Sequence, residues 1–247
     1  MTGSSVWLLL VSAFGAEVIG TMGGFGAATI LTPVAAWFLD MKTAIALVAC
    51  FHLFGNASRL VFFGRHIAWS YWVQFGLIAV LCSALGARAA ARLSSPVVTL
   101  LFGAFLLVYV ILSLSASDRV QLPRRPATLV GGGMLSGLIA GLLGTGGAVR
   151  SACLLAFGLP KEVYIGTSAS IALVVDATRL PIYVAGGLLP APFAPLLLAL
   201  VVVAFGGSWL GQRLVRRISA VAFRRFVLAL LALMGVKLVL DGWHGLG

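Results

Sequence analysis

Residues 20–26 read Gly-Thr-Met-Gly-Gly-Phe-Gly, and residues 141–147 read Gly-Leu-Leu-Gly-Thr-Gly-Gly. Each run interrupts an apolar stretch too long for one upright pass through a bilayer. The first stretch, Val6 to Leu39, has 34 residues. As straight helix it would reach about 51 Å, against roughly 30 Å of hydrocarbon. The second, Thr128 to Leu159, is similar. Glycine is a poor helix former, so the break belongs at the glycines. The reading is two short helices joined by a glycine turn within the membrane, twice.

The rest of the chain agrees with lipid as the solvent. Apolar residues make up 61% of the 247, charged residues 9%, and mean hydropathy is +1.12. A soluble domain carries about 25% charged residues, so too little polar surface remains for water. Further spans are expected at Thr43–Phe63, Ala68–Ala87, Pro96–Ser115, Glu162–Gly186, Pro192–Leu210 and Val221–Leu240. Trp69, Tyr71 and Trp72 beside Arg65 and His66 resemble an interfacial belt. The net charge of +11 does not imply nucleic acid: the basic residues sit in short clusters between apolar runs, as orientation signals do. Cys50, Cys82 and Cys153 lie inside apolar segments and read as packing residues without a disulfide framework. No basic residue precedes Val6, so the first segment is expected to stay in the mature protein.

The chain is duplicated. Asn56-Ala57-Ser58-Arg59-Leu60 returns as Asp176-Ala177-Thr178-Arg179-Leu180, and Gly20, Gly23 and Gly26 return as Gly141, Gly144 and Gly147. Gly86-Ala87-Arg88 returns as Gly211-Gln212-Arg213. The division is residues 1–116 as a first membrane repeat, 117–126 as a linker and 127–247 as a second repeat. The fold class is therefore an all-α polytopic membrane protein with two homologous halves, each a glycine-broken helical hairpin plus three transmembrane helices. If the hairpin crosses twice, each half crosses an odd number of times and the halves are inverted. With the N-terminus outside, that arrangement gathers ten basic residues inside and four outside. Parallel halves give nine against five, so the positive-inside rule favours inversion by a thin margin.

Candidate chemistry follows from the breaks. A helix that begins within the membrane presents free N–H groups and the positive end of its dipole, a ready anion site. The candidate cradle is Gly23, Gly24, Gly26, Gly144, Thr145, Gly146 and Gly147. Ionisable residues inside spans face a cavity or a partner. His52, Asn56 and Arg59 share one helical face and form a second candidate set. Arg59 either attracts an anion or snorkels to the interface, whereas Asp176 and Arg179 read as an i, i+3 structural pair. Glu17 and Asp176 are the proton-coupling candidates. Arg150 either contacts substrate or lies at the membrane surface. No GxSxG elbow, HExxH or P-loop appears, so neither catalysis nor a nucleotide-driven pump is indicated, and no cofactor or metal is expected.

The glycine break followed by Thr32-Pro33, the repeated [Asn/Asp]-Ala-[Ser/Thr]-Arg-Leu, Gly144-Thr145-Gly146-Gly147 and the Gly-x-Arg loops resemble the sulfite exporter TauE/SafE family, over essentially the whole chain. That resemblance implies export, or sometimes uptake, of sulfite and small organosulfonates such as sulfoacetate across the bacterial inner membrane, with the glycine-rich segments near the substrate. The expected partners are a small-molecule anion and the lipid bilayer, and homo-oligomerisation stays open. Alternatives are an anion channel, an importer of another small solute, and a membrane scaffold subunit that transports nothing. Pro33 follows Gly26 by seven residues, whereas the second half delays proline to Pro160, so the two half-sites are expected to differ in shape.

Overall fold

A computed structural model describes residues 3–23, 26–115, 123–190, 194–214 and 220–246. Among them the elements are helices: α1 (Gly3–Gly23), α2 (Ala28–Ala35), α3 (Met41–Phe63), α4 (Trp69–Arg92), α5 (Ser95–Ser115), α6 (Pro126–Leu143), α7 (Gly147–Ala156), α8 (Lys161–Ala185), α9 (Ala194–Leu214) and α10 (Ala220–His244). Eight of these are long and apolar enough to cross a membrane, and α2 and α7 are the short ones. Each half thus presents four long helices and one short one. The linker and Gly24 lie largely or wholly outside the described residues.

The hairpins are less even than their glycine content predicts. Their first arms, α1 and α6, are full-length, and only the second arms are short. Gly20 and Gly141 do not break the helix; they stay helical and let other backbone approach. A Cβ on Gly20 would lie 2.7 Å from the Cα of Ala27, and one on Gly141 would lie 2.6 Å from the amide nitrogen of Ala87. The turns form where glycine takes positive φ, at Gly26 (88°) and Gly144 (79°), values that penalise any residue with a Cβ. Gly144 caps α6, donating its N–H to the Ala140 carbonyl at 3.0 Å. Pro33 lies inside α2, which ends two residues later, while α7 runs longer and Pro160 serves as the N-cap of α8. The half-sites differ in shape, as the proline spacing predicts.

Polarity is distributed as lipid demands. Glu17, Arg59, Arg150, Asp176 and Arg179 are buried, whereas Val61, Leu198, Val202 and Leu233 are each more than 70% exposed. In water that arrangement would be untenable; in a bilayer the exposed aliphatic surface is solvated.

Packing between the halves follows the repeat. The fourth helix of one half lies on the first helix of the other, the two third helices pack together, and so do the two fifth helices. Gly133, Gly137 and Gly141 of α6 meet the carbonyl sides of Phe75, Ala79 and Ser83 in α4, so α4 and α6 run parallel. Gly207 and Gly211 of α9 meet Phe14 and Val18 of α1 in the same sense. This is the small-residue spacing that lets membrane helices approach backbone to backbone. The equivalent helices, by contrast, run antiparallel. Gly166 near the start of α8 lies against Phe63 at the end of α3, and Gly242 and Gly235 of α10 meet Leu100 and Leu107 of α5.

The α4–α6 seam gives a direct test. A Cβ on Gly137 would collide with the Ala79 carbonyl oxygen and lie 2.8 Å from the Ala79 Cα, whereas one on Gly131 would meet nothing within 4 Å. Gly137→Ala should cost about 1–3 kcal/mol of stability by overpacking, read as a lowered thermal midpoint in detergent. Gly131→Ala should leave the midpoint unchanged or raise it. Equal midpoints for the two variants would refute the packing described.

Candidate anion site

Three elements converge where α3 crosses α8. Successive turns of α3 carry His52, Asn56 and Arg59 on one face, as their spacing predicts, and that face meets Asp176. His52 Nδ1 lies 2.8 Å from Asp176 Oδ2, and Asn56 Nδ2 donates to the same oxygen at 3.2 Å. Arg179 donates from Nε to Asp176 Oδ1 at 2.9 Å, and the ion pair closes at 2.7 Å. The i, i+3 pairing of Asp176 with Arg179 is as the sequence predicts. Arg179 also donates to the Ala140 carbonyl, and the Tyr183 hydroxyl donates to the Gly141 carbonyl.

Arg59 neither snorkels nor stands free. Its guanidinium forms an ion pair with Glu17 of α1, donates to Thr21 Oγ1 at 2.9 Å, and donates to Asn56 Oδ1 at 2.9 Å. Ser208 of α9 donates to Glu17 Oε1 at 2.6 Å. Glu17, a proton-coupling candidate from sequence, is thus the counterion of Arg59. Its Oε2 has no hydrogen-bond partner among the described residues. These contacts place the end of α1 level with the end of α3, so the two helices run in the same direction. The stretch 26–40, with α2, carries the chain back between them.

Sequence left Arg150 undecided, and the structure buries it. It sits in the first turn of α7, 4% exposed, and donates from Nε to Ser168 Oγ at 2.9 Å. No carboxylate among the described residues lies within ion-pair distance of it. Arg59 has Glu17 and Arg179 has Asp176; Arg150 has no counterion among the described residues. Among these residues three buried guanidiniums against two buried carboxylates leave one positive charge over.

Arg150 opens onto a cavity of about 510 Å³. Gly26, Asn56, Arg59 and Ser168 share its wall, with Phe63, Leu155 and Ile165 as apolar surface. Met22, Phe63, Lys161 and Gln212 mark one end of the bundle, where α1, α3 and α9 finish and α8 begins.

The glycine cradle is thus split. Gly26 reaches the cavity, while Gly144 faces Ile45 and Gly146 packs against Ser136, which donates to its carbonyl at 2.9 Å. Thr145 lies 2.6 Å from Thr29 Oγ1, tying the start of α7 to that of α2. Gly23 ends α1 and Gly147 begins α7. His52 reaches Gly26 from behind: its Nε2 lies where a Cβ on Gly26 would go.

Compared with known proteins, residues 8–238 match the family model described as sulfite exporter TauE/SafE. The chain belongs to that family. No curated protein and no solved structure matches it. TauE/SafE is a transporter family.

The Glu17–Arg59 pair yields a prediction. Removing one partner of a buried pair strands the other, at about 3–5 kcal/mol. Arg59→Gln and Glu17→Gln should each lower the thermal midpoint strongly, and the double variant should recover much of that loss. A double variant as unstable as the two single losses added together would show that the groups are not coupled.

Proposed function

We propose that this TauE/SafE protein is a secondary transporter that moves a small anion, sulfite or an organosulfonate such as sulfoacetate, across the bacterial inner membrane by alternating access. The observation that carries the reading is Arg150, a buried guanidinium in the cavity wall without a carboxylate partner. An uncompensated charge in a low-dielectric interior is costly, and an anion in the cavity removes that cost. Arg150 lies in the first turn of α7, whose N-terminal N–H groups add positive potential. Gly26 lets the first break approach the same space.

Inverted halves support alternating access. Equivalent helices that pack antiparallel, α3 on α8 and α5 on α10, are related by a two-fold axis lying across them rather than along them. That is the geometry of inverted-repeat transporters. The repeat also relates an open end to a sealed one. Arg59 and Phe63 border the cavity, while their equivalents, Arg179 and Tyr183, are fully buried and bonded to the end of α6. Exchange of these two arrangements between halves would close one end and open the other. The cavity end carries Arg65, Arg124, Arg125 and Lys161, so by the positive-inside rule it faces the cytoplasm. A permanently open anion channel fits less well with a far end closed by Arg179 and Tyr183.

Two measurements test this reading. Arg150→Gln should weaken sulfite or sulfoacetate binding by about 10 to 100-fold, the worth of one charge-assisted hydrogen bond. Arg150→Lys should be milder, because the charge persists without the planar fork. Calorimetric titration of purified protein decides it, and unchanged affinity in Arg150→Gln would remove the charge from the site. For orientation, a single cysteine at Ser117, in a background without the native three, should resist an impermeant thiol reagent in whole cells. Labelling before permeabilisation would overturn the inverted arrangement.

A further inference from the structure

The imidazole of His52 has one nitrogen engaged and one idle. Asp176 is ion-paired with Arg179 and is an acceptor only, so the hydrogen between His52 Nδ1 and Asp176 Oδ2 belongs to Nδ1. Asn56 Nδ2, 3.1 Å from Nδ1, cannot donate to a protonated nitrogen and donates to Asp176 instead. That fixes the tautomer: Nε2 carries a lone pair. Nε2 is buried and has no hydrogen-bond partner among the described residues, and His52 as a whole is 5% exposed. Its neighbour is Gly26, the positive-φ residue of the first break and part of the cavity wall. A lone pair buried without a donor is costly. A site that keeps one beside a transport cavity has a use for it in another state.

We propose that His52 Nε2 is the proton-binding atom of the transport cycle, and that anion and proton are carried together. This rests on the transport reading above. The charge balance sets the sign of the coupling. With neutral imidazole the buried set has one positive charge over, which matches a monoanion. With imidazolium it has two, which matches a dianion such as sulfite or sulfoacetate. A cation formed within the same buried cluster as Arg150 strengthens anion binding, and by linkage a bound anion strengthens protonation. The charged groups around His52 are Asp176 and Arg179 from α8, Arg59 from α3 with its Glu17 counterion from α1, and Arg150 from α7. No titratable side chain on α2 or on residues 26 and 27 faces it. Asp176 has both oxygens bonded, and Glu17 keeps Oε2 open but is ion-paired to Arg59, so among the described residues His52 Nε2 is the open proton position on a group that no arginine holds. An Nε2–H would have no acceptor among the described residues and would press on Gly26. Protonation is therefore coupled to movement of the turn that leads into α2.

Two readouts test the proposal. In proteoliposomes with the membrane potential clamped at zero, labelled sulfoacetate should accumulate against its gradient when the outside is acidic. One proton per anion gives about tenfold accumulation per pH unit. Sulfoacetate keeps its charge between about pH 6 and pH 8, so the response belongs to the protein. In His52→Gln the steady-state ratio should fall to unity at any rate of approach. The second readout needs no ligand. Met22→Cys, in a background without the native cysteines, places a thiol in the cavity wall beside the turn. Its alkylation rate, relative to the same thiol in unfolded protein, should change with pH and lose that change when His52→Gln is added. Label exchange at equal pH without any response to a pH gradient would overturn the proton site and leave the transporter intact. No exchange, with pH-dependent alkylation abolished by His52→Gln, would sink the transport reading and keep the proton site. A pH dependence of alkylation that survives His52→Gln would overturn the proposal outright.

Discussion

The carboxylate of Asp176 is the contact on which the centre of the protein depends. One half supplies it, and both halves use it: His52 and Asn56 reach it from α3, and Arg179 from its own helix. In a hydrocarbon solvent such a group cannot be left to water, so its partners must be in place wherever it is buried. Because those partners come from two repeats, the ionic cluster fixes the register of α3 on α8. The rest of the buried charge extends from there. Asn56 passes the network to Arg59, Arg59 to Glu17, and Glu17 to Ser208 on α9. Four helices are thereby tied to one polar chain about a single crossing point.

Glycine makes that crossing possible without a hydrophobic drive between helices. Lipid tails are as apolar as leucine side chains, so helix association in the membrane relies on close fit. The α4–α6 and α1–α9 seams achieve this by bringing carbonyls against glycines one turn apart. Turn-forming glycines are the minority, at Gly26 and Gly144 within the two breaks. The same residue type therefore serves two needs in one stretch, close approach at Gly20 and Gly141, and reversal three to six residues later.

That double use explains what the sequence made legible and what it hid. Span positions and the two interruptions could be read directly, because hydropathy and glycine spacing are local. Which glycine turned the chain could not, since helical and left-handed glycines look alike in a string of letters. The Asp176–Arg179 pair was visible because it is i, i+3. The Glu17–Arg59 pair was not, because 42 residues separate its members and only tertiary packing joins them. Arg150 was ambiguous for the same reason: its importance lies in the carboxylate it lacks, and an absence of partners has no signature in sequence.

The departures from two-fold symmetry are as informative as the symmetry. In the repeat, Glu17 corresponds to Leu138, Asn56 to Asp176, Phe63 to Tyr183, and Arg150 to Thr29. Among the described residues each half thus holds one buried carboxylate and one repeated arginine, placed differently: Glu17 reaches Arg59 from α1, while Asp176 holds Arg179 within α8. Those exchanges leave each half neutral at the crossing. Arg150 has no such compensation, because its equivalent is a threonine. A cation duplicated in both halves would put two unscreened charges into one low-dielectric space, and their repulsion would oppose the packing of α2 against α7. One arginine opposite one threonine avoids this. The pair Thr29–Thr145 bridges the two short helices at 2.6 Å, and the single excess charge remains on the side where the cavity is open.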